Sequence, residues 1–131
     1  MGDLVKVDGN GIVNILNNGG ALNIGRPFSQ EIFLIEVEIA GTSHVENMLE
    51  LEPKLIEGTE VKFFRECDNR FDGNAILVKD ADGNKLGYVP RVKNEILARL
   101  MDAGKFVFGR VKRKERVGDW VKVVVEVFLR D

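Results

Sequence analysis

Between Val121 and Leu129 the chain places an aliphatic residue at every second position: Val121, Val123, Val125, Val127 and Leu129. A period of two puts all five on one face of a β-strand. The intervening residues Trp120, Lys122, Val124, Glu126 and Phe128 are themselves partly apolar. Both faces of this strand are therefore predicted to meet other parts of the protein, as in a central or barrel strand. Such a strand needs neighbours, and Lys105 to Lys114 supplies one as the first arm of a long hairpin turning at Val117-Gly118.

Further strands follow from the same period. Ile32 to Ile39 sets Phe33, Ile35, Val37 and Ile39 opposite Glu36 and Glu38. Glu60 to Glu66 sets Val61, Phe63 and Arg65 opposite Lys62 and Phe64. Ala75 to Lys79 and Lys85 to Val89 read as a hairpin around Asp82-Gly83, a pair that tolerates positive φ. Two segments carry helical spacing instead. Residues His44 to Leu55 place Val45, Met48 and Leu49 on one side, with Ser43 as N-cap and Pro53 ending the regular part. Arg91 to Ala103 opens after Pro90 and closes at Gly104; its periodicity buries Val92, Ile96, Leu97, Leu100 and Met101 and exposes Arg91, Lys93, Asn94 and Arg99. Six or seven short strands with two α-helices predict a mainly β protein, a small, strongly bent β-barrel of the OB or SH3 kind. Residues 1–30, rich in Gly and Asn, are predicted to be an arm with little regular structure, and residues 31–131 a single barrel domain.

Composition narrows the function. With 131 residues, 44% hydrophobic and 31% charged, the chain has the balance of one soluble globular domain. Its apolar runs are too short to cross a bilayer, and the start shows no secretory signal, so no membrane association and a cytoplasmic location are expected. One cysteine, Cys67, agrees with a reducing compartment. The net charge of −2 is unevenly spread: residues 1–59 hold 3 Lys/Arg against 9 Asp/Glu, and residues 60–131 hold 16 against 12. Arg110, Lys112, Arg113, Lys114 and Arg116 cluster closely enough to attract a polyanion locally.

Catalytic and metal chemistries lack their residues. Structural zinc takes about four Cys or His ligands, whereas this chain has only Cys67 and His44. Asp80, Asp82 and Asn84 begin like a calcium loop, but Lys85 stands at its glycine position and Arg91 at its closing glutamate. A GxxxxGK[ST] phosphate loop is missing, and Cys67 with His44 has no third group to orient it. No cofactor is expected, and the chain reads as a binding protein rather than an enzyme.

The strongest binding feature is the polar loop Asp68 to Asn74, set between an aromatic strand and the hairpin that ends on Pro90. Phe71, Tyr88, Trp120 and His44 offer planar side chains; Arg70, Arg91, Lys93 and the cluster of Arg110, Lys112, Arg113, Lys114 and Arg116 offer positive charge. That combination stacks bases and holds phosphates. Each residue also has a plainer reading. Phe71 could anchor the loop in the barrel, Tyr88 could pack within its strand, and His44 could simply begin a helix. Asp72 and Asn74 could bond their own turn, and the basic cluster could be a solvated edge that discourages aggregation.

Four stretches, VEIAGTSHVEN (37–47), the strand leading to CDNRFDGNAILV (67–78), DGNKLGYVPR (82–91) and the following amphipathic helix, together resemble the HIRAN domain over roughly residues 33–129. Asn69-Arg70-Phe71-Asp72-Gly73-Asn74-Ala75 stands where that family carries an Asn-Pro-Tyr-Asp-x-Asn-Ala-like loop, with Arg70 for the usual proline and Phe71 for the tyrosine. The resemblance implies an OB-type barrel that binds the 3′-hydroxyl end of single-stranded DNA, alone or beside a helicase or nuclease that carries the catalysis. Asp72 would then accept from the terminal hydroxyl and Phe71 would stack on a terminal base. Tyr88 and Arg91 would line the same groove, and His44 would add a second stacking surface. A protein-interaction or scaffold module, offering the edge of the terminal hairpin to another chain, is the alternative.

Overall fold

The computed structural model describes residues 30–130, so the arm expected over residues 1–30 lies outside the described residues apart from Gln30. Six strands and two α-helices make up the domain: β1 (Glu31–Glu38), α1 (Met48–Leu51), β2 (Glu60–Arg65), β3 (Ile76–Lys79), β4 (Lys85–Tyr88), α2 (Arg91–Asp102), β5 (Phe106–Val117) and β6 (Trp120–Arg130). The strands form one antiparallel sheet in the order β1-β6-β5-β2-β3-β4, curled into a half-barrel. The mainly β architecture with two helices is as the periodicity requires. Val121, Val123, Val125 and Val127 are all buried in the concave core.

The edges of the half-barrel meet just beyond β1. There the Ala40 amide donates to the Tyr88 carbonyl at 2.8 Å, and the Tyr88 amide donates to that of Ala40 at 2.9 Å. Gly87 makes this approach possible: its φ is +152°, and a Cβ there would strike the Ala40 carbonyl oxygen and lie 2.7 Å from Ile39 Cγ2. β6 lies between β1 and β5. The terminal hairpin is therefore interior to the sheet where Phe108 to Arg110 pair with β2 and Val124 to Arg130 pair with β1, while towards Val117 and Trp120 its two strands pair only with each other.

Three local expectations are corrected. Phe33 leaves the face of Val37 and Ile39, because the pairing steps from Phe33↔Phe128 to Ile35↔Val127 across a bulge at Leu34. One extra residue reverses the alternation, and Phe33 sits on the outer face, 52% exposed. The segment from His44 to Leu55 is not one helix but a 3-10 turn at Thr42–His44, the single turn α1, and a second 3-10 turn at Glu52–Lys54. Pro53 cannot donate the hydrogen bond that would continue α1. Asn47, not Ser43, precedes that turn, and Leu51 and Leu55 are buried in place of Leu49.

The third correction concerns α2. It begins at Arg91 as expected, but Val92 and Ile96 are 89% and 70% exposed, while Asn94, Leu97 and Ala98 are buried. The helix is rotated so that a polar side chain enters the interior. Burying an amide requires a partner, and that partner lies in the loop before β3.

Candidate functional site

The loop between β2 and β3 is built by Asn69. Its Oδ1 accepts from the amides of Phe71 at 2.9 Å and Asp72 at 3.0 Å, the Asx geometry open to a residue with one short carbonyl arm. Its Nδ2 donates to Glu66 Oε1 at 3.1 Å, and the same oxygen accepts from the Tyr88 hydroxyl at 2.9 Å. Glu66 thus ties the loop to β4. Burial, together with the Glu66 carboxylate, pushes the Tyr88 phenol above its ordinary pKa, so it stays a protonated donor.

Arg65 secures the other side. Its guanidinium donates to the carbonyls of Ala75 at 2.8 Å and Gly73 at 3.0 Å, and forks onto Asp102 at the end of α2 at 2.9 and 3.2 Å. Such a planar, charge-assisted fork is specific to arginine. Loop and helix are thereby held at both ends of the same short segment.

Between them stands Asp72. Its Oδ1 accepts from the Asn74 amide at 2.9 Å, its Oδ2 accepts from Asn94 Nδ2 at 2.8 Å, and Arg91 Nε lies 3.7 Å from Oδ2. The Asn74 amide first, then Asn94 and the charges of Arg91 and Arg65, hold the carboxyl below the usual aspartate range against the opposing effect of burial. A carboxylate offers about four acceptor positions. Two remain for a donor arriving from solvent.

That donor would arrive through an open groove of about 410 Å³ lined by Ala40, Asn69, Phe71, Asp72, Tyr88 and Arg91. Phe71 is 82% exposed, so it is not the loop anchor that burial would have made it. The Arg91 side chain, on the first turn of α2, is also largely exposed. The groove therefore presents an exposed ring and an exposed guanidinium, the latter 3.7 Å from an ionised carboxylate.

The remaining sequence candidates lie elsewhere. Arg70 is exposed beside Phe71 on the loop, and His44 is exposed on the 3-10 turn after Ala40. Lys93 donates to the Glu36 carbonyl at 3.2 Å and borders a different depression, of about 420 Å³, between α2 and β1. That depression is of nearly the same size, with Leu34, Ile35, Ile96 and Leu100 in its walls together with Lys93 and Glu95. The basic cluster on β5 is distributed among carboxylates: Arg110 on Glu31 at 2.8 Å, Lys112 on Glu36 at 2.8 Å, Arg113 on Glu36 at 3.7 Å and Lys114 on Glu52 at 2.6 Å. None of the four lines the groove. Sequence reasoning missed Asn94, Arg65 and Asn69 as the residues that set Asp72 in place. An asparagine on the apolar side of α2, at a position neighbouring Leu97 and Ala98, was the one available signal.

Fold and groove together define a small β half-barrel with a polar loop beside an open groove. The sequence of residues 32–130 matches the HIRAN domain, and the chain belongs to that family. Among solved structures it is similar to a protein from Lactobacillus plantarum, at 27% identity and a TM-score of 0.73, over 79% of this chain and 98% of that one. The HIRAN domain of human HLTF shares the fold in its crystal structure, at 17% identity, TM-score 0.59 and coverage of 76% and 78% of the two chains. A search of curated protein sequences returned no match.

Proposed function

We propose that this protein is a non-catalytic recognition module that takes the free 3′-hydroxyl end of single-stranded DNA in the groove beside Asp72. The observation that carries the reading is an ionised carboxylate with acceptor capacity to spare, placed beside an exposed Phe71 and Arg91. A carboxylate repels a phosphate but accepts from a hydroxyl, so it distinguishes a chain end from an interior. Phe71 stacks on a terminal base, and Arg91, at the start of α2, meets the adjoining phosphate. Membership of the HIRAN family supports the same ligand. Catalysis then belongs to a helicase or nuclease partner, and the lone exposed Cys67 suits a reducing cytoplasm.

The test is fluorescence anisotropy of a labelled single strand ending in a 3′-hydroxyl, beside the same strand ending in a 3′-phosphate. Wild type should prefer the hydroxyl end, and Asp72→Ala should abolish the preference. Equal affinity for both ends, or no binding to either at low salt, would sink the proposal.

A further inference from the structure

The outer face of the sheet carries a belt of aromatic rings that neither the core nor the groove requires. Phe33, Phe128 and Phe108 stand in register across β1, β6 and β5, with ring centroids 5.9 and 5.7 Å apart, and Phe106 lies 5.8 Å from Phe108. Lys62 pairs with Phe108 across β2, and Phe64, two residues along, faces the same side. Phe64 pairs with Leu77 on β3, which pairs with Tyr88 on β4. The face therefore continues from Phe33 at one edge of the sheet to Tyr88 inside the groove.

Burial accounts for Phe108, 1% exposed beneath the guanidinium groups of Arg110 and Arg130, but not for Phe33, Phe64 and Phe106, which are 52%, 43% and 53% exposed. Cations accompany them: Lys79 lies 4.9 Å above Phe64, Lys85 4.9 Å above Tyr88 and Arg130 5.1 Å above Phe106. Arg110 and Arg130 share Glu31 as counter-ion, but among the described residues no carboxylate lies within 4.0 Å of Lys62, Lys79, Lys85 or Lys105. An apolar protein surface laid here would strand those ammonium groups away from water. A single nucleic-acid strand would not, because each base has a π-face for a ring and each phosphate a charge for a lysine.

We infer that this face is a stacking platform for the internal nucleotides of the strand whose 3′ end occupies the groove. The inference rests on the end-binding reading and extends it from a terminal pocket to a track. The test compares a dinucleotide with a thymidine decamer, both with a free 3′-hydroxyl, on wild type, Phe64→Ala, Phe106→Ala and Lys79→Glu. All three positions are on the surface, and thermal melts verify that the variants fold. The decamer should bind at least about fivefold more tightly than the dinucleotide, and each aromatic variant should lose at least about fivefold on the decamer alone. Lys79→Glu should also flatten the salt dependence of decamer binding by about 0.7 in log–log slope. Equal affinity for the two lengths, or variants that leave decamer binding unchanged, would overturn the platform while leaving the end reading intact. A decamer with a 3′-phosphate separates the two: dependence on Phe64 and Phe106 without any preference for the hydroxyl would retain the platform and overturn the end reading.

Discussion

Asn94 donates from the buried face of α2 to Oδ2 of Asp72 at 2.8 Å, and this bond, beside the Arg65 bridge to Asp102, ties the polar loop to the helix that carries Arg91. It explains why α2 turns an amide inward and leaves Val92 and Ile96 in solvent. A helix face chosen by hydrophobicity alone would orient the other way. The carboxylate and the guanidinium of the groove owe their juxtaposition to it.

Removing that bond should affect stability and recognition together. Asn94→Ala deletes a hydrogen bond to a charged group and is expected to cost about 1.5–3 kcal/mol in urea unfolding. The same variant should weaken binding of a 3′-hydroxyl strand, because Asp72 is no longer held. Unchanged unfolding with unchanged binding would show that the loop keeps its place without the helix.

Phe71 offers the opposite separation. At 82% exposure it contributes little to the fold, so Phe71→Ala should shift stability by no more than about 0.5 kcal/mol. Loss of one stacked base should nevertheless weaken strand binding by about 1–3 kcal/mol. Denaturation and anisotropy on one preparation check both numbers, and a large stability loss would restore Phe71 to a packing role.

Acid sensitivity follows from carboxylates whose folded pKa lies below the unfolded one. The hydrogen bond from Arg110, followed by that from Arg130, lowers Glu31 from 4.5 to about 2. Asp72 is lowered by the Asn74 amide and then by Asn94. For a depressed acid the stabilisation is complete above the unfolded pKa and is lost as pH falls through the folded one. Stability should therefore fall between about pH 4.5 and 2, and Glu31→Gln should flatten that limb in thermal melts recorded at successive pH values. An unaltered acid limb in the variant would place the sensitivity elsewhere.

Gly87 and Gly83 make a controlled pair, since both have positive φ, at +152° and +88°. At Gly87 a Cβ collides with the Ala40 carbonyl, whereas at Gly83 nothing lies within 4 Å. Gly83→Ala should cost about 1 kcal/mol for backbone conformation alone. Gly87→Ala should cost more, by roughly 1–3 kcal/mol of added strain, and should open the Ala40 to Tyr88 bridge beside the groove. Faster amide exchange at Ala40 and Tyr88 in that variant checks the structural half of the expectation.

The elements that could be read from the residues were those with a strong local period. The valine row of β6, the Asp82-Gly83 hairpin and the Pro90 start of α2 each carry their signal within about ten residues. The failures came where a distant partner overrode that signal. Leu34 becomes a bulge only because β1 must match β6 on both sides of it. The His44–Leu55 segment keeps a helical spacing on paper, yet Pro53 and the burial of Leu51 and Leu55 divide it into short turns.

The sequence by itself determined that the chain is mainly β, that its second half is the more basic, and that its polar loop has the residue types of the HIRAN domain. Those properties depend on neighbours in the chain, and side-chain alternation reports them directly. Only the tertiary structure decided that Asp72 faces Asn94 and Arg91, that Arg65 braces the loop against α2, and that Arg110, Lys112, Arg113 and Lys114 face carboxylates outside the groove. Partners this far apart along the chain are chosen by strand register and helix rotation, which exist only once the sheet has curled and its edges have met at Ala40 and Tyr88.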